Sequence, residues 1–302
     1  MLNQNSQSKT CDEHYGNVID EKNDIKVIDC EKCGFKHIFP IPDQCELDKF
    51  YEKQYRKVDS NYFKKTEEDL KWLLMNYKRY YELFEELCDV NSKKLLEIGS
   101  GSGHFLKYGK ERNWDVIGFE PSMMSYEYSK NLDINVINGN FNVEEAKKHG
   151  KYDVVFMRNV IEHISQPITM IEDIKTILKP NGLLFIVSPN DYNPLQDILK
   201  NKLGFDSYWI AKEHINYFNF ESMKDLLQKL DLNIIKTSAT FPMEFFLLSG
   251  ENYVSDQVLG RKCHNIRKMF ETSLDDTNLL DSFYKFIADK EIGRQFIIIA
   301  RK

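Results

Sequence analysis

Leu95-Leu96-Glu97-Ile98-Gly99-Ser100-Gly101-Ser102-Gly103 decides how this chain folds. An apolar run that reads as a buried strand ends in three glycines at alternate positions, and Phe105, Leu106 and Tyr108 follow at helical spacing. Strand, glycine turn, helix is how an open α/β sheet receives a nucleotide-like ligand at the carboxyl end of its first strand. Glycine accepts positive φ and lets the backbone approach the ligand, and the free N–H groups at the helix start can face an anionic group. The dinucleotide fingerprint needs G-x-G-x-x-G. Here that third position is His104 and the spacing is G-x-G-x-G, which argues against NAD and for an adenosyl ligand without a pyrophosphate.

From this turn outward the chain alternates. Apolar runs predict strands at Lys94–Ile98, Val116–Phe119, Ile134–Ile137, Val154–Met157, Leu183–Val187, Asn233–Thr237 and Gln295–Ala300. Helical patterns lie between them, including Ile168–Leu178, stopped by Pro180 and Gly182, and Ser222–Leu230. Strands alternating with helices of this length mean βαβ units. The expected fold is a Rossmann-like, seven-stranded, mostly parallel sheet with helices on both faces. It forms a domain over 93–302, with helical substrate-cap insertions near 191–213 and 241–294. Before it, a helical linker or cap spans 46–92. Leu70, Leu73, Leu74, Tyr77, Tyr80, Tyr81, Phe84, Leu87 and Cys88 give it one apolar face that packs across the sheet. Phe50, Tyr51, Tyr55, Tyr62 and Phe63 precede this helix and help to cover a site.

Residues 1–10 read as a disordered tail, with neither the basic n-region nor the apolar h-region of a secretory signal. No apolar run is long enough to cross a membrane. A reducing cytoplasm is therefore expected, where six cysteines suggest metal binding or ordinary thiols rather than disulfides, Cys88 and Cys263 being the ordinary ones. Cys11-x-x-His14 and Cys30-x-x-Cys33, on two turns joined by a hairpin of Val18-Ile19 and Ile25–Ile28, describe a zinc-ribbon-like segment over 11–45. Four protein ligands close such a site, so the Zn2+ would be structural. His37 and Cys45 are substitutes for one ligand. The formal charge is −6, and the first sixty residues carry 9 Lys+Arg against 12 Asp+Glu. Phosphate binding needs a basic face, so neither nucleic acid nor membrane is an expected partner.

Glu120 closes the second strand, about twenty residues beyond the glycines, where a carboxylate accepts ribose hydroxyls. Asn140 and Phe141 follow the third strand, placed for the adenine amino group and ring face. After the fourth strand comes Arg158-Asn159-Val160-Ile161-Glu162-His163-Ile164.

Together these motifs resemble the class I S-adenosylmethionine-dependent methyltransferases. The glycine turn resembles their motif I, Glu120 their ribose acid, Asn159–Ile164 their post-strand-four signature, and Leu178-Lys179-Pro180-Asn181-Gly182 their "LKPGG" turn. The match covers about 93–240 and returns at 295–302. It implies S-adenosyl-L-methionine as methyl donor, held by Glu97, Gly99, Ser100, Gly101, Gly103, Glu120, Pro121, Asn140, Phe141, Arg158 and Asn159. Many members carry Asp where this chain has Asn140, whose amide oxygen can still accept the adenine N–H. The amino-terminal zinc segment, with Glu213-His214-Ile215-Asn216-Tyr217-Phe218 after the fifth strand, is similar to a branch acting on sugar nucleotides and other small polar metabolites. In its sugar C-methylating members the Glu-His pair lies at the substrate and the His is the base. Many of those are longer, with a further carboxyl-terminal domain, whereas this chain ends on its last strand.

An alcohol acceptor must lose a proton during attack, and a His near neutrality is the natural base. His214, oriented by Glu213 with Tyr217 lining the pocket, is the first candidate, and His163 the second. His104 is expected at the cofactor, His149 and His264 in solvent. Tyr192, Tyr208, Trp209 and Phe218 are candidates to wall the acceptor site, although each alone is more often core. The expected function is O-methylation of a small polar acceptor in carbohydrate or related biosynthesis, by a monomer or homodimer. C- or N-methylation and a non-catalytic or macromolecule-directed zinc-ribbon protein are the alternatives.

Overall fold

A computed structural model describes residues 14–42, 61–88, 93–275 and 278–302. Cys11, Cys45, Phe50, Tyr51 and Tyr55 lie outside them. Two sheets organise the chain.

The larger sheet contains β4 (Lys94–Ile98), β5 (Asp115–Glu120), β6 (Asn135–Asn138), β7 (Tyr152–Arg158), β8 (Leu178–Pro189), β10 (Asn233–Ala239) and β11 (Gln295–Arg301). Their order is β10-β11-β8-β7-β4-β5-β6. The pairs from β8 to β6 are parallel, and β11 enters antiparallel between β8 and β10. The first strand, β4, is flanked by β5 on one side and β7 on the other, so the chain reverses direction across the sheet there. Ligands enter at such a switch point, beyond the carboxyl ends of the strands.

Helix α1 (Asn61–Leu87) covers one face: Tyr77, Tyr80, Tyr81 and Phe84 are buried against Leu95, Phe105, Phe156 and Phe185. It begins earlier than its apolar pattern, so Tyr62 and Phe63 belong to its first turn rather than preceding it. Helix α2 (His104–Glu111) meets α1 closely because position 109 has no side chain: a methyl there would be 2.0 Å from the Tyr81 hydroxyl oxygen. The opposite face is covered by α5 (Pro167–Ile177) and α7 (Phe220–Lys229), which bury Ile171, Ile174, Phe220 and Met223. Helix α5 ends at Ile177 and β8 starts on the next residue, so Pro180 and Gly182 lie inside the strand instead of stopping the helix. The remaining short helices are α3 (Met123–Ser129), α4 (Val143–Lys148), α6 (Pro194–Leu203) and α8 (Glu244–Leu248).

Between β10 and β11 the chain also forms α9 (Gln257–Ser273) and α10 (Asn278–Asp289). Helix α9 docks on α1 through charge. Asp69 meets Arg261 at 2.7 Å, His264 at 3.1 Å, and Lys268. These cations hold the Asp69 carboxyl down at about 2 although burial alone would raise it. His264 is therefore an interhelical partner, half-buried edge-on to Trp72, and not a solvated side chain.

The smaller sheet has the order β1-β2-β3-β9. β1 (Gly16–Lys22) and β2 (Ile25–Cys30) form the expected hairpin, turning on Asn23 and Asp24 at φ 50° and 65°. The sequence reading missed two strands, β3 (Phe35–Phe39) and β9 (Asn216–Tyr217). β9 comes from the far side of the chain and pairs antiparallel with β3, Lys36 opposite Tyr217 and His37 opposite Asn216. Ile28, Cys30, Cys33 and Phe35 share one core with Phe218 and Met223. The amino-terminal segment is thus built into the larger domain.

Candidate active site and metal cluster

The glycine turn closes by backbone hydrogen bonds and by one bond to the Glu120 carboxylate. The N–H groups of Gly99 and Ser100 donate to the Phe119 carbonyl at 2.8 and 3.0 Å, and Gly103 N–H donates to Ser100 at 2.9 Å. Gly99, Gly101 and Gly103 have φ of 74°, 52° and 79°, a region that L side chains enter only at a cost. A methyl at Gly99 would lie 2.7 Å from Val160 Cγ2, so the glycine also lets the turn nest against the loop after β7. Glu120 Oε2 accepts the Gly101 N–H at 2.6 Å and Oε1 accepts the Ser122 N–H at 2.7 Å. Burial raises the pKa of Glu120 and these two bonds work against that rise. The 138–141 turn hangs from the same residue: Asn138 Nδ2 and the Gly139 N–H both donate to the Glu120 carbonyl, at 2.9 and 3.0 Å.

Glu97, Gly99, Ser100, Gly101, Gly103, Glu120 and Pro121 therefore gather at the ends of β4 and β5. Glu97 Oε2 and Ser100 Oγ are buried there without a hydrogen-bond partner. Burial holds the Glu97 carboxyl well above its ordinary range. Two unpartnered polar groups beside an open glycine turn fit a ligand carrying an amine and hydroxyls, as the aminoacyl and ribose portions of S-adenosylmethionine do. Phe141 packs edge-on to Phe119, with ring centroids 5.6 Å apart, and Asn140 is exposed beside it. Arg158 is half-buried with its guanidinium over the Tyr77 ring, and Asn159, at φ 56°, accepts from Gln295 Nε2 at 2.5 Å.

Tyr62 reaches over the glycine turn, its hydroxyl 3.0 Å from where a Gly101 side chain would begin. Phe63 stacks on Tyr128 at 4.3 Å. His104 is taken up by Tyr128, 3.2 Å away, and Glu67, 3.3 Å away. It joins α1 to α2 and α3.

The second half of the site gathers beyond β7 and β8. Glu162, His163 and His214 bring one ligand-type atom each within 4.8 Å of one another. Glu162 is 1% exposed. Its Oε2 accepts from Ser188 Oγ at 3.0 Å, while Oε1 has no hydrogen-bond partner and lies 3.8 Å from His163 Nε2. Burial pushes the Glu162 carboxyl up to about 7. His163 Nδ1 donates to the Glu213 carbonyl at 2.6 Å, which leaves Nε2 as its lone-pair nitrogen. The rings of His163 and His214 are 5.0 Å apart, and His214 Nδ1 is buried and unpartnered.

Two expectations change here. Burial first, then His163 and Arg294, hold the His214 imidazole down at about 3 rather than near neutrality. Glu213 contributes its backbone carbonyl to His163 and makes no hydrogen bond that would orient His214. Tyr217, fully buried, props the preceding turn through its hydroxyl, 3.3 Å from the Ala211 carbonyl. Tyr192, Trp209 and Tyr217 meet edge to face in one small core behind that turn. Tyr208 also packs edge-on to Trp209, and its hydroxyl donates to Glu244 at 3.1 Å.

Glu162, Arg294, Glu244 and Asp191 were missed as site residues in the sequence. Arg294 Nη1 lies 3.3 Å from Glu244 and 3.9 Å from Asp191, at the carboxyl end of β8. Burial raises Asp191 to about 7, and Glu244 Oε2 and Gln196 Oε1 have no partner. The signal available for Glu162 was an acid set in an apolar run, Val160-Ile161-Glu162-His163-Ile164.

A third cluster lies on the small sheet. His14, Cys30, Cys33 and His37 hold their ligand atoms within 4.8 Å of one another. His14 Nδ1 is 3.4 Å from Cys33 Sγ and 3.8 Å from Cys30 Sγ. Tetrahedral zinc with bonds of about 2.3 Å to sulfur and 2.0 Å to nitrogen needs N–S edges of about 3.5 Å, so the donors fit that ion. Three of the expected ligands are thus together and His37 joins them; Cys11 is outside the described residues. Among the described residues no helix is long and apolar enough to cross a membrane.

Known proteins resemble this chain in sequence and in fold. Residues 67–237 match the family described as a methyltransferase domain. The C-methyltransferase NovU of Streptomyces niveus is 24% identical over 233 residues, which is 73% of this chain and 51% of that protein. A ubiquinone biosynthesis O-methyltransferase of Rickettsia canadensis is 21% identical over 72% of this chain and 93% of its own length. A tRNA U34 carboxymethyltransferase of Campylobacter jejuni is 30% identical, but over 39% of this chain and 42% of its own. The chain spans about half the length of the first curated relatives it matches. A SAM-dependent methyltransferase structure from Archaeoglobus fulgidus superposes with a TM-score of 0.52 at 20% identity, over 81% of this chain and all of that one. With the family match covering more than half of its length, and the glycine turn, Glu120 and the post-β7 loop assembled at the carboxyl ends of β4, β5 and β7, this chain belongs to the class I S-adenosylmethionine-dependent methyltransferases.

Proposed function

We propose that the protein O-methylates a small polar acceptor bearing hydroxyls, such as a sugar or sugar nucleotide, using His214, His163 and Glu162 to take the acceptor's proton. The observation that carries this reading is a pair of buried, unpartnered atoms in one cluster, Glu162 Oε1 and His214 Nδ1. Both lie in or against the loop after β7, whose Val160 packs on Gly99 of the glycine turn.

S-adenosylmethionine supplies, when bound, a sulfonium methyl open to in-line displacement. The residues named above at the glycine turn, with Glu120, Asn140, Phe141, Arg158 and Asn159, would hold it. Their role is orientation, which accounts for much of the acceleration in such a transfer. His214 stays neutral at physiological pH and accepts a hydrogen bond from the acceptor hydroxyl. With a pKa of about 3 it is a poor final proton holder. Glu162, at about 7, is matched to that task, and its Oε1 lies 3.8 Å from His163 Nε2. Tyr217 and Glu213 support the histidines through backbone contacts.

The similarity to a C-methyltransferase over 73% of the chain favours carbon as the second reading for the methylated atom. The 11–45 segment is proposed to hold a structural Zn2+ and the 191–213 and 241–294 segments to cap the acceptor.

Calorimetry with S-adenosylmethionine is the first test, followed by a mass-spectrometric screen of sugar nucleotides and phosphorylated metabolites for a gain of one methyl. His214→Ala is expected to abolish turnover with cofactor affinity nearly unchanged. Turnover surviving in both His214→Ala and Glu162→Gln would reject the proton-acceptor assignment.

A further inference from the structure

We propose that His37 is the fourth ligand of the metal cluster and that, through β3 and β9, the bound metal positions His214. The inference rests on the metal and His214 readings above.

His37 is 0% exposed, and its Nε2 has no hydrogen-bond partner. Its Nδ1 lies 2.8 Å from the Ile38 carbonyl, which can only accept, so Nδ1 carries the proton and Nε2 the lone pair. A buried imidazole with one nitrogen fixed by a carbonyl, edge-on to His14 at 4.6 Å and with a ligand-type atom within 4.8 Å of those of Cys30, Cys33 and His14, has the arrangement of a metal-bound histidine. Two thiolates and two imidazoles are a tetrahedral set that selects zinc among common divalent ions.

The same stretch of backbone reaches the catalytic side. Ile38 takes the His37 proton on its carbonyl, and its own N–H donates to the Ile215 carbonyl at 2.9 Å. The Ile215 N–H donates to the Glu162 carbonyl at 2.8 Å. Asn216 lies opposite His37 in the sheet, and its side chain donates to the Ile161 and Ile164 carbonyls at 3.1 and 2.7 Å. His214 directly precedes a residue whose two backbone groups are held from opposite sides, by β3 and by the post-β7 loop. β9 is two residues long and pairs only with β3 in its sheet. Such a strand has little order of its own. The metal pins the Cys30–Cys33 turn and His37, β3 stays in register, and β9 holds His214 against His163. His37 is thus a positioning residue, not a catalytic one.

The test uses the full chain with Co2+ as probe. Wild type should bind one equivalent with the intense visible bands of a tetrahedral site and the charge-transfer absorption of two thiolates. His37→Ala should weaken cobalt binding at least 10-fold, and His37→Cys should restore it with stronger charge transfer from a third thiolate. Hydrogen exchange in a peptide covering 213–218 should quicken at least 10-fold when the metal is removed or in His37→Ala, and return to wild-type protection in metal-loaded His37→Cys. Exchange in the 97–106 peptide, and calorimetric affinity for S-adenosylmethionine, should not change. Wild type that binds no cobalt overturns the metal reading and this one together. Cobalt bound equally well by His37→Ala but lost in Cys11→Ser overturns the ligand assignment. Cobalt lost with no change in exchange at 213–218 overturns the positioning role alone.

Discussion

Gly99 joins the two halves of the cofactor side, and Gly99→Ala measures that junction. The glycine has φ 74°, and its missing side chain would stand 2.7 Å from Val160 Cγ2. Two costs follow. Holding alanine in the left-handed region costs about 1–2 kcal/mol. Forcing a methyl into a filled space costs about 1–3 kcal/mol. Their sum predicts roughly 3 kcal/mol of destabilisation. Only the second cost depends on Val160, so Val160→Ala in the Gly99→Ala background should recover about 1–2 kcal/mol, although Val160→Ala alone removes partly buried methyls and destabilises. Urea unfolding of the four proteins of this double-mutant cycle reads the coupling directly. Calorimetry on the same proteins should find S-adenosylmethionine binding weakened in Gly99→Ala and partly restored in the pair, because the Gly99 and Ser100 N–H groups can return to the Phe119 carbonyl. A Gly99→Ala protein within about 0.5 kcal/mol of wild type, or a cycle with no coupling, would refute the close approach inferred here.

The other predictions concern pH. Glu162 ionises at about 7 in the fold against an ordinary value of 4.5, so the folded chain keeps a proton that the unfolded chain loses. Its ionisation therefore removes stability as pH rises from 4.5 through 7, by about 3 kcal/mol at pH 8. Glu162→Gln should flatten that loss, with melting temperatures converging near pH 5 and diverging towards pH 8; parallel curves would contradict the burial argument. Asp69 is shifted the other way, to about 2, so its contribution is present above its ordinary 3.8 and is lost as pH falls through 2. Asp69→Asn should lower the urea midpoint at pH 7 while leaving affinity for S-adenosylmethionine unchanged, and the difference from wild type should shrink below pH 3.

The donor side was legible because its geometry is local. Glu97 to Ser122 is one strand, one turn, one helix and a second strand, and the turn's shape follows from three glycines whose conformations few other residues adopt. The core strands were legible for a similar reason, since buried parallel strands are continuous apolar runs. Boundaries moved where a neighbour could extend an element. β8 begins at Leu178, before its apolar run, because Tyr152 pairs with Leu178 ahead of the main register.

The acceptor side is built differently. β9 is two residues whose partner is some 180 positions earlier, and no periodicity exists in two residues. His37 looks like any strand residue until Ile38 fixes its ring. Glu162, Asp191, Glu244 and Arg294 come from four separate segments of the chain, and each alone is an ordinary charged residue near a strand or helix end. What makes them a cluster is burial, which the chain supplies only after β11 has entered between β8 and β10. Arg294 is the clearest instance. In sequence it precedes an apolar strand; in the fold that strand's antiparallel entry carries it to the carboxyl end of β8, beside Glu244 and Asp191 and near enough to depress the pKa of His214. A turn shaped by glycines and held by the next strand can be read from its letters, whereas a polar cluster held by tertiary burial becomes visible only with the fold. That difference in construction lets the donor turn stay fixed while substitutions at Asp191, Glu244 or Arg294 change what lies opposite it.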